Sequence, residues 1–148
     1  MTMKPNIQTA TGIVVGILAL FSAGCANQPT VPALPEKAYT AIATDAAKQL
    51  ATLYPPAKTH FVLKANDNTL FNNAVKHQLR NSGYALHEST ETTPAKTKAK
   101  QLTYVLEPLT DMAFYGYYRL SLSIDEAQLS KLYDANNLTK PDYWSYRK

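Results

Sequence analysis

Residues 59–88 carry the pattern that most limits how this chain can fold, a helix between two short strands. Asn66 and its neighbours offer turn and capping side chains, and Gly83 stands where a left-handed residue ends a helix. The apolar stretches 59–64 and 84–88 flank this helix. They predict a β-α-β unit whose helix, 69–82, presents one apolar face formed by Leu70, Phe71, Ala74, Val75 and Leu79.

The remaining periodicity predicts one further helix and several strands. An alanine-rich helix is expected over 36–53, with Tyr39 and Leu53 on its apolar face, before two prolines. The polar segment 89–100 predicts an exposed loop. Alternating or short apolar runs predict strands at 102–107, 118–124, 127–133 and 143–147. We therefore expect a single α+β domain over 36–148, with two helices packed on a mainly antiparallel sheet.

The N-terminal segment has the features of an export signal. Lys4 is followed by an apolar run at 11–21, which is shorter than the roughly 20 residues that a membrane-spanning helix needs. The next residues, Ser22, Ala23, Gly24 and Cys25, resemble the lipobox of bacterial lipoproteins, although Ser22 stands where leucine is usual. We expect residues 1–24 to be a cleaved signal peptide and Cys25, the only cysteine, to carry lipid.

The residues after Cys25 predict where the domain resides. By the sorting rule of the bacterial lipoproteins that the lipobox resembles, Ala26 in place of aspartate implies transport to the outer membrane of a Gram-negative cell. Residues 25–35 include three prolines, which favour an extended spacer of up to roughly 30 Å at about 3.1 Å per residue. The expected location is therefore the outer membrane, with the lipid-anchored domain facing the periplasm.

Few residues form a pattern that indicates catalysis or ligand binding. His60, His77 and His87 are isolated, and no metal, nucleotide or nucleophile motif is present, so we expect no enzyme, cofactor, metal site or small-molecule substrate. Lys96, Lys98 and Lys100 could contact nucleic acid, but no aromatic residue lies between them for base stacking, which favours a solvated loop. The net charge of +4 does not identify a partner.

Aromatic residues are concentrated in the C-terminal half. Strand alternation sends them to both faces of the sheet, so core packing explains some of them. Tyrosine and tryptophan are also common anchors in protein interfaces. The candidate partner-binding residues are Tyr117, Tyr118, Tyr143, Trp144 and Tyr146.

Several short segments follow one another in a characteristic order. They are the lipobox, 53–57 (LYPPA), 79–86 (LRNSGYAL) and 102–106 (LTYVL), followed by 118–122 (YRLSL) and 144–148 (WSYRK). This order resembles that of the TrbH family of conjugal-transfer lipoproteins. The resemblance spans roughly residues 53–148 and the signal. None of these segments is catalytic.

The resemblance implies a lipid-anchored structural part of a type IV secretion channel that transfers DNA, beside TrbG- and TrbI-like subunits. One alternative is a pilot, assembly or cell-wall-binding lipoprotein of another outer-membrane machine. A less favoured one is a small envelope hydrolase that depends on His60, His77 or His87.

Overall fold

The computed structural model describes residues 33–64, 69–88, 98–138 and 142–148. It contains two helices, α1 (Glu36–Leu53) and α2 (Leu70–Asn81). The strands are β1 (His60–Leu63), β2 (Ala85–Glu88), β3 (Lys100–Pro108), β4 (Tyr117–Ile124), β5 (Ala127–Asp134) and β6 (Ser145–Arg147). The predicted α+β class is confirmed. The predicted signal peptide, Cys25 and most of the spacer lie outside the described residues.

The six strands form one sheet in the order β2-β1-β3-β4-β5-β6. β1 pairs in parallel with β2 and with β3. From β3 to β6, each strand pairs antiparallel with the strand that follows it in the chain. Helix α2 carries the chain back along the sheet between β1 and β2, as a parallel pair requires. The predicted β-α-β unit is therefore present, preceded by α1, and the sheet is mainly antiparallel as expected.

Helix α2 has a capping residue at each end. The Thr69 hydroxyl accepts a hydrogen bond from the Asn72 backbone N–H at 3.3 Å, a donor that the first turn would otherwise leave unpaired. At the other end Gly83 has φ +88°, the left-handed conformation predicted for it. Leu70 was predicted on the buried face but is exposed. It is the first helical residue, and the buried face begins at Phe71.

Helix α1 is buried mainly through alanines. Small side chains allow a helix to approach the layer beneath it closely, with Ile42 and Leu50 as its larger anchors. Leu53 was expected on this face but is 41% exposed, because it is the last residue of the helix and extends past the packed layer. No helix within the described ranges is both long and apolar enough to cross a membrane.

Strand alternation divides the sheet into two faces. One face carries the large apolar side chains and lies under the helices. Each of these side chains that is fully buried stabilises the folded state by about 1.5–3 kcal/mol. The fully buried members of this face are Phe61, Leu63, Leu102, Leu120, Leu122, Ile124 and Leu129. The opposite face carries Thr103, Ser121, Ser123 and Ser130 at the intervening positions of β3, β4 and β5. We call this second surface the open face, since neither α1 nor α2 covers it.

Buried tyrosines tie the helices to the sheet. The Tyr84 hydroxyl donates to the Tyr54 carbonyl at 2.6 Å, and burial raises the pKa of Tyr84 to about 12. The Tyr133 hydroxyl donates to the Asp45 carboxylate at 2.8 Å, and Lys131 pairs with the same carboxylate at 2.9 Å. Burial, followed by this bond, raises the pKa of Tyr133. Both phenols thus remain neutral donors at physiological pH.

The predicted boundaries differ most from the structure at the starts of β3 and β6. Lys100 was predicted in the loop but is the first residue of β3, because Asp125 accepts hydrogen bonds from the Lys100 ammonium and the Gln101 backbone N–H. The first nine residues of that predicted loop, 89–97, lie outside the described ranges. Tyr143 was predicted in the last strand but precedes β6.

Candidate protein-interaction surface

The structure separates the five aromatic residues predicted to bind a partner. Tyr118 is only 7% exposed and faces the helices, so its ring is turned away from the surface, and its part in partner binding stays a prediction. Its neighbour Tyr117 points to the other face of β4 and is half-buried. The alternation of β4 therefore gives one tyrosine to the core and the other to the surface.

The three aromatic residues near β6 also differ in exposure. Trp144 is half-buried against the core, with the Lys131 ammonium 5.9 Å from its ring. Tyr143 is 90% exposed, and Tyr146 is exposed on the edge strand. Of the predicted set, Tyr143 and Tyr146 are thus the residues most available to a partner.

A larger exposed apolar cluster lies on the loop 109–116, which joins β3 to β4 and which we call the hairpin tip. A 3-10 turn, Met112–Phe114, shapes it. The Asp111 carboxylate begins this turn by accepting from the Ala113 backbone N–H at 2.8 Å, and the Asp111 carbonyl accepts from Phe114 N–H at 2.9 Å. Because both bonds hold the backbone, the directions in which the side chains leave the turn are set.

Further contacts anchor the hairpin tip to the sheet. The Phe114 ring packs edge-on against Tyr117, with centroids 6.4 Å apart. Gly116 has φ +87°, and its carbonyl accepts from the Ala135 backbone N–H at 2.9 Å. The hairpin tip is therefore held against the start of β4 and the end of β5.

The side chains of the hairpin tip are apolar yet face solvent. Met112 is 86% exposed, and Phe114 and Tyr115 are also exposed. Methionine and aromatic residues are enriched in the centres of protein interfaces, where their burial supplies most of the binding energy. A cluster of them on an ordered turn is suited to insert into an apolar pocket of another protein.

Sequence reasoning missed the residues of this cluster. Met112, Phe114 and Tyr115 are apolar, and in a sequence they are as compatible with a core as with a surface. One available signal was Asp111, a capping residue that separates them from β3.

Acidic side chains lie around the hairpin tip. Asp111 belongs to its turn, and Asp134 pairs in register with Tyr117. The apolar cluster thus has two carboxylates beside it, those of Asp111 and Asp134.

The open face offers a second, more polar surface. A groove of about 510 Å³ runs over β4, β5 and β6, lined by serines and by Arg119 and Arg147. Ser130 and Ser145 hydroxyls bond each other at 2.7 Å, Arg119 Nε donates to Glu107 at 2.9 Å, and Arg147 donates to Gln128. Because these groups already bond one another, the groove presents few groups that a ligand would satisfy better.

The three histidines are dispersed on the surface. His60 and His87 lie on β1 and β2 and are exposed, and His77 Nδ1 lies 3.2 Å from the Asn81 amide nitrogen. Within the described ranges, no three His, Cys, Asp or Glu side chains are grouped as a metal site would require. That the protein is not an enzyme stays a prediction.

Comparison with known proteins identifies the family. No curated protein matches the chain. A family model described as conjugal transfer protein TrbH matches residues 22–147, which include every described helix and strand. The chain therefore belongs to the TrbH family, and this membership makes it a component of a conjugal transfer system.

Proposed function

We propose that this protein is a lipid-anchored structural component of the DNA-transfer channel, attached to the outer membrane through Cys25 and facing the periplasm. In this role the hairpin tip docks onto a neighbouring subunit of the envelope assembly, which also contains TrbG- and TrbI-like subunits. The role is structural, and the energy for transfer comes from other components.

The exposed apolar hairpin tip is the observation that carries the proposal. Met112, Phe114 and Tyr115 are exposed together on one short turn, whereas other exposed large apolar residues of the described ranges, such as Leu70 and Val105, lie outside this loop. Two hydrogen bonds accepted by Asp111 hold the backbone of the turn, and packing on Tyr117 holds the Phe114 ring, before any partner binds. Such preorganisation lowers the entropy lost on docking.

Co-purification with the transfer assembly tests the docking role. The double variant Met112→Ser, Phe114→Ser is expected to recover far less of the assembly than the wild type from detergent-extracted membranes. Loss of two interface anchors that contribute about 2 kcal/mol each to binding would weaken docking by about a hundredfold or more.

Val105→Ser is the matched control for this experiment. Val105 is an exposed aliphatic residue in the same β-hairpin, on β3 and outside the hairpin tip. It should recover the assembly as the wild type does. Equal recovery by the double variant would show that the hairpin tip is not the docking site.

The anchor is tested separately by Cys25→Ser. Without a thiol to acylate, the protein is expected to lose its acyl chains and to move from the membrane fraction to the soluble periplasmic fraction. Fractionation and the mass of the purified protein measure both changes. A wild-type mass that contains no lipid, or a Cys25→Ser protein still held in the outer membrane, would contradict the anchor.

A further inference from the structure

The end of the sheet opposite the hairpin tip is basic. β3 begins and β4 ends there, since Leu102 pairs with Ile124, and β6 ends there, since Arg147 pairs with Gln128. At about 3.3 Å per residue, the nine residues of β3 put roughly 25–30 Å between the two ends. We call the group Lys58, Lys98, Arg147 and Lys148 the basic end.

The charges of the basic end are available to a partner. Lys100 and Asp125 lie at this end but neutralise each other at 2.9 Å. The ion pairs found within the described ranges involve none of the four cations of the basic end. Among the residues that the structure describes, Glu126 in the turn between β4 and β5 partly offsets them.

Exposed apolar side chains accompany these cations. Leu53 and Tyr146 are exposed at this end, and Pro55 and Ala57 beside them are exposed as well. Tyr54, the residue after Leu53, is close enough to Tyr146 for that residue to contribute, after burial, to raising the pKa of Tyr54. The Lys100 ammonium lies 5.6 Å from the Tyr54 ring. The basic end thus combines an apolar centre with a cationic rim.

We propose that the hairpin tip of one copy docks onto the basic end of a second copy, so that the domains associate head to tail. The two surfaces are complementary in both respects that matter for an interface. Met112, Phe114 and Tyr115 meet the patch around Leu53 and Tyr146, and the carboxylates of Asp111 and Asp134 meet the four cations.

Head-to-tail contact has a consequence for assembly. The contact is heterologous, since the two copies use different surfaces, and each pair retains one unoccupied hairpin tip and one unoccupied basic end. Addition of copies can therefore continue until the arrangement closes into a ring. This inference rests on the proposed function, and it specifies that the neighbouring subunit at the hairpin tip is another copy of this chain.

Sedimentation of the full-length protein in a nonionic detergent tests the contact. The wild type is expected to associate as its concentration rises. Association should weaken about tenfold or more when salt is raised from about 0.1 M to 1 M, because the screening length falls from about 10 Å to 3 Å. A wild type that stays monomeric at every concentration would overturn the inference.

Two variants distinguish head-to-tail contact from a symmetric one. Met112→Ser, Phe114→Ser removes the anchors of the hairpin tip, and Lys58→Glu, Lys148→Glu reverses two charges of the basic end. Each variant alone should remain monomeric, because each lacks one of the two required surfaces. Mixed together they should form a pair that stops at two copies, since one variant supplies the hairpin tip and the other the basic end.

Each other result also decides the question. Association of the charge-reversed variant alone at wild-type strength would show a tip-to-tip contact, and a mixture without pairs would exclude the head-to-tail contact. Suppose that the wild type does not self-associate, but that the hairpin-tip variant recovers much less of the transfer assembly than the wild type on co-purification. The inference then fails while the proposed function stands.

Discussion

Phe61→Ala is expected to destabilise the domain by about 3–5 kcal/mol, a large share of the about 5–15 kcal/mol that holds a typical domain folded. The Phe61 side chain is fully buried at the centre of β1. Its ring lies 4.9 Å from that of Tyr84 and 6.2 Å from that of Tyr54. Truncation removes these contacts and leaves a cavity between the sheet and the C-terminal part of α1.

Urea unfolding measures this loss. With a slope of about 2 kcal/mol per molar urea, the midpoint should fall by about 2 M while the slope itself stays constant. Val62→Ala is the matched control, because Val62 is the next residue of the same strand and is half-buried on the open face. Val62→Ala should lower the free energy of unfolding by about 1 kcal/mol. Equal costs for the two variants would contradict the assignment of the two faces.

The hairpin-tip variant Met112→Ser, Phe114→Ser is expected to reduce DNA transfer strongly while the domain remains folded. Met112 is 86% exposed, so removing its side chain empties no cavity. Phe114 contributes an edge-on contact with Tyr117, worth about 0.5–1.5 kcal/mol, which a stable domain tolerates. Docking, by contrast, should weaken by about a hundredfold or more, because both interface anchors are lost.

The local features of the fold could be predicted from the sequence because their causes are local. Gly83 ends α2 since its backbone must adopt a positive φ, and neighbouring residues alone indicate this. The alternation of apolar and polar residues in β4 predicts a strand with two unlike faces. The turn at Asp125 and Glu126 between β4 and β5 follows equally from residue type.

Features that depend on distant contacts could not be predicted in this way. Lys100 belongs to β3 because Asp125, 25 residues away, holds it. The parallel pairing of β1 with β3 depends on the arrangement of the whole sheet. Alternation alone could not determine which of Tyr117 and Tyr118 faces the core, because that depends on which side of the sheet the helices cover.

The candidate surface was the least predictable feature. Met112 and Phe114 are apolar residues of the kind that form cores, and only the structure shows that the loop between β3 and β4 carries them outward. The charge contrast between the two ends of the sheet was equally hidden, since Asp111, Asp134, Lys58 and Lys148 are scattered along the sequence.

The frequency of DNA transfer from donor cells tests the central claim most directly. Donors whose own copy of the gene is deleted would receive the wild type, Val105→Ser, or Met112→Ser, Phe114→Ser, each at equal protein level. The expected result is wild-type transfer with Val105→Ser and a loss of about a hundredfold or more with the hairpin-tip variant, matching its weakened docking. Wild-type transfer by the hairpin-tip variant would contradict the claim that this surface joins the protein to the channel.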